Sequence, residues 1–477
     1  MTRNQTSSSN EREWNVRDHA GRTDAEVSQI VSALQDQTGL SALTLKVCLL
    51  RGLDTAQTIH DFLSPRFENL THPSKIKDMD LAIERICQAK IRNERIRIFG
   101  DYDVDGTTGV ALLIWIFREF GFSPERVDAR QPDRFKDGYG LNIGAVEQAI
   151  EDGVEVLVTV DCGISSFAAA QRAKELNLDL IVLDHHQIDP VKGLPIALAV
   201  VNPQRSDCES GLKQLCGCGL AFYFAMALRS RGRQDGWFPA GSQPNLKQHL
   251  DLVVMATAAD MVPLTGDNHI LVRYGLEVLK STQKPGVKAL MESAGLGSKE
   301  LSPSHLGFVL GPRINASGRM QSASLALELL TTQDSLRAAE LANELELLNR
   351  ERAEIQNQIW DQIRVRVEKG IAEGKFKHGI VVGDSGWHEG VVGIVASRVT
   401  ETFRKPAAVV ALREDFGKGS VRSFGGKDVL AGLRECAPTL IAFGGHRHAA
   451  GLSVKLEQFE TFVEAFDRAM EKLQPVP

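Results

Sequence analysis

The segment Phe99-Gly-Asp-Tyr-Asp-Val-Asp-Gly-Thr-Thr sets Asp101, Asp103 and Asp105 at alternate positions between an apolar run and a helix that begins near Thr107. Carboxylates crowded in this way raise one another's pKa unless a cation compensates. Two further apolar runs also end in acids. Val160 leads into Asp161-Cys-Gly-Ile-Ser, and Leu183 leads into Asp184-His185-His186. Asp260 follows the apolar helix predicted over residues 250–259, where a helix exit lets a side chain turn back towards the others. Carboxylates mixed with imidazoles suit manganese well and magnesium acceptably. An EF-hand is disfavoured, because its longer ligand loop ends in Glu and here an apolar helix starts at once. Taken singly, an Asp at a strand end is most often a cap or turn residue; the ordered set is far more specific.

These side chains meet if the elements before them lie side by side. Residues 96–99, 154–160, 180–183 and 197–201 form short apolar runs separated by amphipathic helices, the pattern of βαβ units around a parallel sheet. Such a sheet binds ligands outside the carboxyl ends of its strands, where the Asp and His residues stand. Apolar residues mostly three or four apart, without Pro or Gly, predict one long helix over 335–369. A second α/β pattern follows, with strands at 379–382 and 407–412 and a helix at 391–403. The expected organisation is an accessory segment at 1–75, a catalytic α/β domain at 76–275, a helical connector at 276–370, a second α/β domain at 371–456 and a terminal helix at 457–477.

The chain has 477 residues, 43% of them hydrophobic and 24% charged, with a formal net charge of -6, as expected of a soluble multidomain protein. Its apolar runs fall short of the roughly 20 residues needed to span a bilayer, and its first ten residues are polar, so a cytoplasmic protein is expected. Seven scattered cysteines without a C-x-x-C pair argue against disulfides, and Cys216-Gly-Cys218 reads as a tight loop entering a helix, not as a zinc site. The acidic balance requires any nucleic-acid path to be a local channel. Arg364, Arg366, Lys369, Lys375, Lys377, Arg398, Arg404 and Lys405 are candidates for lining one.

Asp-Tyr-Asp-Val-Asp-Gly, Val-Asp-Cys-Gly-Ile-Ser, Asp-His-His and Ala-Ala-Asp-Met-Val-Pro-Leu resemble four successive motifs of the DHH phosphoesterase superfamily. The resemblance is to its RecJ-like branch, exonucleases that degrade single-stranded DNA from the 5′ end. It extends through Arg134-Phe-Lys-Asp-Gly-Tyr-Gly-Leu, Gly311-Pro-Arg-Ile-Asn-Ala-Ser-Gly-Arg, Trp387-His-Glu-Gly-Val-Val-Gly-Ile and Gly444-Gly-His-Arg-His-Ala-Ala-Gly.

The resemblance implies a parallel-sheet DHH domain joined by a long helix to a second, DHH-associated domain. It also implies two divalent ions, manganese or magnesium, held by Asp103, Asp105, Asp161, His185 and Asp260, with Asp101 as an additional ligand. His186 would face the scissile phosphate and Asp184 would orient the His pair. Arg134, Arg313 or Arg319, Ser420 and Arg422 would bind the strand's 5′ phosphate. Gly444, Gly445 and His446 would cradle phosphate in a nest of backbone amides. Tyr139, Trp387 and Phe424 are candidate base-stacking residues. Expected partners are single-stranded DNA, single-strand-binding protein and recombination or helicase proteins, for a protein working as a monomer. RecJ-like chains commonly continue into an OB-fold; here only about a helix follows the Gly-Gly-His motif, so that domain is expected to be missing. The rivals are a superfamily phosphodiesterase of short oligonucleotides or cyclic dinucleotides, and a non-catalytic DNA-binding scaffold.

Overall fold

The computed structural model describes residues 21–239 and 241–474. The polar tail at 1–20 lies outside the described residues. The chain begins with three short helices, α1 (Asp24–Thr38), α2 (Ala42–Leu50) and α3 (Ala56–Leu63), which share a small core of Val27, Val31, Leu34, Leu45 and Ile59. Thr23 and Glu26 close a capping box at the start of α1, satisfying amides that a helix end leaves free.

The first α/β domain runs α4 (Met79–Arg92), β1 (Ile96–Gly100), α5 (Val104–Glu119), β2 (Val127–Arg130), α6 (Ile143–Glu151), β3 (Val156–Val160), α7 (Phe167–Glu175), β4 (Asp179–Leu183), β5 (Ala199–Val201), α8 (Gly217–Gln234), α9 (Leu250–Ala259), α10 (Asp267–Lys280) and α11 (Pro285–Ser293). Its five strands are all parallel, in the order β2-β1-β3-β4-β5. Strands β1 and β3 are buried at every position, because helices cover both faces, which explains their unbroken apolar runs. Strand order reverses between β1 and β3, so the crevice of this sheet opens beyond their carboxyl ends. Two strands start later than the sequence suggests, at Val156 and Ala199. The edge strand β2, Val-Asp-Ala-Arg, was hidden by its two charged residues.

A single turn, α12 (Pro303–His305), then leads through a π-helical turn (Leu306–Leu310) into α13 (Gly311–Met320), followed by α14 (Ser324–Thr331) and the long α15 (Ser335–Ala372). The connector expected at 276–370 is not a separate unit. Leu279, Val287, Leu290, Leu310, Ile314, Leu329, Leu341 and Leu345 all belong to the first domain's core, whereas Ile359, Trp360, Ile363 and Val367 belong to the second's. α15 is therefore shared, each end held by a different core.

The second domain contains β6 (Ile380–Asp384), α16 (Glu389–Phe403), β7 (Ala407–Leu412), β8 (Phe416–Arg422), α17 (Val429–Glu435), β9 (Leu440–Gly445), β10 (Ala449–Lys455) and α18 (Phe459–Lys472). Its sheet order is β6-β7-β8-β10-β9, parallel only between β6 and β7. α18, set apart as a terminal helix in the sequence reading, packs Phe462, Phe466 and Met470 into this core. Burial of side chains of this size contributes about 1.5–3 kcal/mol each, so α18 is integral to the domain.

Candidate metal centre

The loop after β1 enters α5 with Asp103 as its N-cap, accepting from the Gly106 amide at 3.1 Å. Asp105 lies buried in the first turn, and its carboxylate accepts from the Gly217 and Cys218 amides at 2.6 and 2.7 Å. Those amides are the free donors at the start of α8, which favour an anion there. The Cys216-Gly-Cys218 loop thus has a role that its sequence alone does not reveal. A Cβ at Gly217 would lie 2.6 Å from the Asp161 Cβ, so only glycine lets α8 approach this closely. Asp161 itself, just past β3, has φ +61°, a left-handed conformation that costs a non-glycine residue energy and recurs at functional sites.

His185 follows β4 and reaches back, its Nε2 lying 3.1 Å from Asp161, 3.6 Å from Asp105 and 3.8 Å from Asp260. Donor atoms of Asp105, His185 and Asp260 all lie within 4.8 Å of one another, as do those of Asp101, Asp103 and Asp161. The Asp161–His185 contact joins these two groups, and Asp161, His185 and His186 form a third group of the same kind. Burial, then the neighbouring acids, push Asp161 and Asp101 well above the usual carboxylate range, and Asp260 rises to about 8 for the same reasons. One Asp101 oxygen is buried without a hydrogen-bond partner. An orphaned oxygen amid mutually repelling acids, with an imidazole among them, is the donor set that two divalent cations satisfy.

Asp184 is buried and holds the neighbouring imidazole: His186 Nδ1 lies 2.7 Å from its Oδ1, and Oδ2 accepts from the Ile164 amide at 2.9 Å. Burial works against charge on His186, but the Asp184 hydrogen bond and charge outweigh it and lift the ring to about 9. With Nδ1 engaged, Nε2 is left 3.5 Å from the Tyr139 hydroxyl, at the wall of a cleft of about 1130 Å3. That cleft is also lined by Tyr102, Gly444, Gly445 and His446.

A second cleft, of about 790 Å3, shares Tyr102, Tyr139, Gly444 and Gly451 with the first and is lined by Arg134, Arg319, Lys418, Ser420 and Arg422. Arg134 stacks over the Tyr102 ring at 4.3 Å, and its Nε is buried without a partner. Arg422 donates to Ser420 Oγ at 2.6 Å. Burial, with Arg134, Arg352 and Arg422 close by, pushes the Arg319 guanidinium down to about 9. Guanidiniums gathered this closely repel one another unless an anion joins them, and their planar forks match phosphate oxygens. The start of α16 completes the wall. A Cβ at Gly390 would fall 2.1 Å from the Arg319 carbonyl, and Gly393 sits against Ser420 and Arg422, so both glycines of His-Glu-Gly-Val-Val-Gly are contact points.

Several expected residues lie elsewhere. Arg313 is absent from both clefts, paired with Glu346 of α15 at 2.7 Å and donating to the Val309 carbonyl. Gly444 and Gly445 end the edge strand β9, paired with Gly451 and Ala450, and line the first cleft. Trp387 is buried and donates to Gln362 Oε1 at 2.8 Å, which removes it as a stacking platform. Phe424 packs under the Arg404 guanidinium, whereas Tyr139 is 54% exposed. Half of the expected basic channel is ion-paired: Arg364, Arg366, Lys369 and Lys375 pair with Glu368, Asp384 and Glu373, while Lys405 keeps its charge and donates to the Phe376 carbonyl. Tyr102 was missed because nothing in its sequence position announces the arginine it supports.

Comparisons with known proteins agree with this architecture. The DHH family N-terminal domain matches residues 95–257, and the DHHA1 domain matches residues 374–472. The single-stranded-DNA-specific exonuclease RecJ of Bacillus subtilis is 38% identical over 90% of the chain and 52% of its own length. For RecJ of Escherichia coli the identity is also 38%, over 90% of the chain and 74% of its own length. The chain thus spans between half and three quarters of these relatives. The crystal structure of RecJ from Thermus thermophilus in complex with Mn2+ matches 95% of the chain and 62% of its own, with a TM-score of 0.79 at 28% identity; its Mg2+ complex matches with a TM-score of 0.70 at 27% identity over 95% of the chain and 60% of its own. By its two domains and by this identity over most of an E. coli relative, the chain belongs to the RecJ family.

Proposed function

We propose that the paired clefts hydrolyse single-stranded DNA from its 5′ end, releasing 5′-mononucleotides, in DNA repair and recombination. The observation that carries this reading is the adjacency of two acid groups to an arginine pocket: Tyr102, between Asp101 and Asp103 in the chain, lines the arginine cleft and carries Arg134 over its ring. Asp101, Asp103 and Asp161 would hold one divalent cation, manganese or magnesium, and Asp105, His185 and Asp260 the other. Bound there, the two cations supply a lowered pKa for the attacking water and neutralise charge on the phosphoryl oxygens.

The chain's own residues do the rest. Arg134, Arg319, Ser420 and Arg422 grip the terminal 5′ phosphate, which places the next phosphodiester beside the acids. The amides of Gly217 and Cys218 fix Asp105. His186, kept protonated by Asp184, presents Nε2 to a phosphoryl oxygen. Water adds to phosphorus, the bond to the departing nucleotide's O3′ breaks, and that oxygen takes up a proton. The remaining strand again begins with a 5′ phosphate and can be bound anew. His446, in the first cleft, contacts the strand beyond the scissile bond. We further place the enzyme in the cytoplasm, acting as a monomer alongside single-strand-binding protein and recombination or helicase proteins.

Measuring kcat/KM for a 20-nucleotide strand and for a dinucleotide, each in manganese and in chelator, tests this reading. Metal-dependent turnover favouring the long strand is expected. Turnover confined to the dinucleotide would move the chain to the small-substrate phosphodiesterases, and none at all would favour a scaffold.

A further inference from the structure

Among the described residues that line the second cleft, Glu389 alone is acidic, in the company of Arg134, Arg319, Lys418 and Arg422. Its side chain is 18% exposed; Oε1 accepts from Arg413 Nε at 3.1 Å, and the other carboxylate oxygen lies 3.7 Å from Lys418 Nζ. Glu389 opens α16, and an acid in the first turn of a helix is favourable. That accounts for its tolerance at this position, not for its place in a cleft built for an anion.

Strand β8 and helix α16 measure where Glu389 stands. Lys418, Ser420 and Arg422 alternate along β8 and so share one face. Arg422 marks the end nearest the acids. Burial and then Arg134 hold its guanidinium below the ordinary value, and Arg134 stacks on Tyr102, which lies between Asp101 and Asp103 in the chain. Lys418, four residues earlier, is about 13 Å away along the strand, and it is this residue that Glu389 meets. The helix agrees: a Cβ at Gly393 would lie 3.3 Å from both Arg422 and Ser420, and Glu389 precedes Gly393 by about 6 Å of helix. Arg319 Nη1 donates to the Gly390 carbonyl at 3.2 Å, tying this turn to the arginines. The order along the cleft is therefore acids, Tyr102, Arg134 with Arg422, Ser420, and last Lys418 with Glu389.

Resting on the exonuclease reading above, we propose that Glu389 limits the pocket to 5′ ends carrying a single phosphate and excludes 5′-triphosphorylated strands. With the scissile bond at the acids, a terminal phosphate held by Arg134, Arg319 and Arg422 has Glu389 beyond it. A monophosphate, with a charge of about -1.5 to -2 at pH 7, ends before that carboxylate. The two further phosphates of a triphosphate end extend away from the acids, along β8 towards Glu389, where like charges repel. Lys418 and Arg413 offer little compensation while Glu389 engages them. Specificity of this kind sets a repulsive element beside an attractive one. Ends made by hydrolysis that leaves a 5′ monophosphate are admitted, and ends begun by a polymerase from a nucleoside triphosphate are refused.

The test measures kcat/KM in manganese for 3′-labelled 20-nucleotide DNA strands that differ only in bearing a 5′ monophosphate or a 5′ triphosphate. The native protein is expected to favour the monophosphate by about tenfold or more. Glu389→Gln, which keeps the shape of the side chain and removes its charge, is expected to abolish most of that preference, whereas Glu389→Asp retains it. Salt gives a second reading on the native protein: between about 50 mM and about 200 mM the preference shrinks as the repulsion is screened, which a steric bar would not do. A native protein indifferent to the extra phosphates, or a preference that survives either Glu389→Gln or the added salt undiminished, overturns the proposal while leaving the exonuclease reading intact. A native protein that degrades neither strand overturns both.

Discussion

Asp161 combines a left-handed backbone, a buried carboxylate and four acidic neighbours, Asp101, Asp103, Asp105 and Asp184. If it contributes to both cation groups, Asp161→Ala lowers turnover by roughly a thousandfold, because the charge stabilisation at stake is several kcal/mol. Steady-state kinetics on a variant with a native circular dichroism spectrum measures this; near-native turnover would contradict the assignment. The same buried acids make a signed prediction about pH. Asp260 rises to about 8 in the folded protein from the ordinary carboxylate range, so the folded state binds more protons than the unfolded one between these values, and stability falls as pH rises through them. The melting temperature of the metal-free protein is expected to drop between pH 5 and pH 8, and manganese is expected to remove most of that drop. A metal-free melting temperature that rises over this range would count against mutual repulsion. Asp101, Asp161 and Asp260 were legible because each follows an apolar run, and Asp103 and Asp105 because they alternate after Asp101. Arg313 and Arg319 stand six apart in one motif, and only packing separates the one that meets Glu346 from the one that meets the cleft.

Elements bring the arginine pocket together from distant parts of the chain. Arg134 comes from the loop after β2, Arg319 from α13 and Arg422 from β8, with the start of α16 wedged among them. Gly390→Ala would force a Cβ onto the Arg319 carbonyl, so α16 must shift. The expected result is a KM for 5′-phosphorylated strands raised about tenfold, from one charge-assisted contact weakened, with a smaller effect on strands ending in a 5′ hydroxyl. An equal rise for both ends would mean that the pocket does not read the phosphate. Parallel strands and the long helix could be read from periodicity. β2 could not, since charges on an edge strand erase the apolar signal, and neither could the affiliation of α18, whose apolar stripe does not say which core it joins.

At the scale of the molecule, two α/β domains share α15, and the arginine cleft draws Arg134 and Arg319 from the first domain's side and Lys418, Ser420 and Arg422 from the second. The net charge is -6, and four of the eight cations named along 364–405 pair with acids. The cations that line the second cleft are Arg134, Arg319, Lys418 and Arg422, of which Lys418 also faces Glu389 at 3.7 Å. Four contacts to a single strand predict a slope of about -3 for log affinity against log salt, read by fluorescence anisotropy in calcium or another non-supporting ion. A slope twice as steep would require a further basic surface. Domain composition was legible from motif order, and so were the i,i+4 pairs Arg364–Glu368 and Lys369–Glu373, whereas Arg366–Asp384 was not, because Asp384 lies on β6.

The most direct test of the account follows a 5′-labelled and a 3′-labelled single strand, with a duplex control, in manganese. Label is expected to leave the 5′-labelled strand at once as mononucleotide, the 3′-labelled strand to shorten progressively, and the duplex and a chelated reaction to stay intact. Mononucleotide released first from the 3′ end, or equal attack on the duplex, would contradict it.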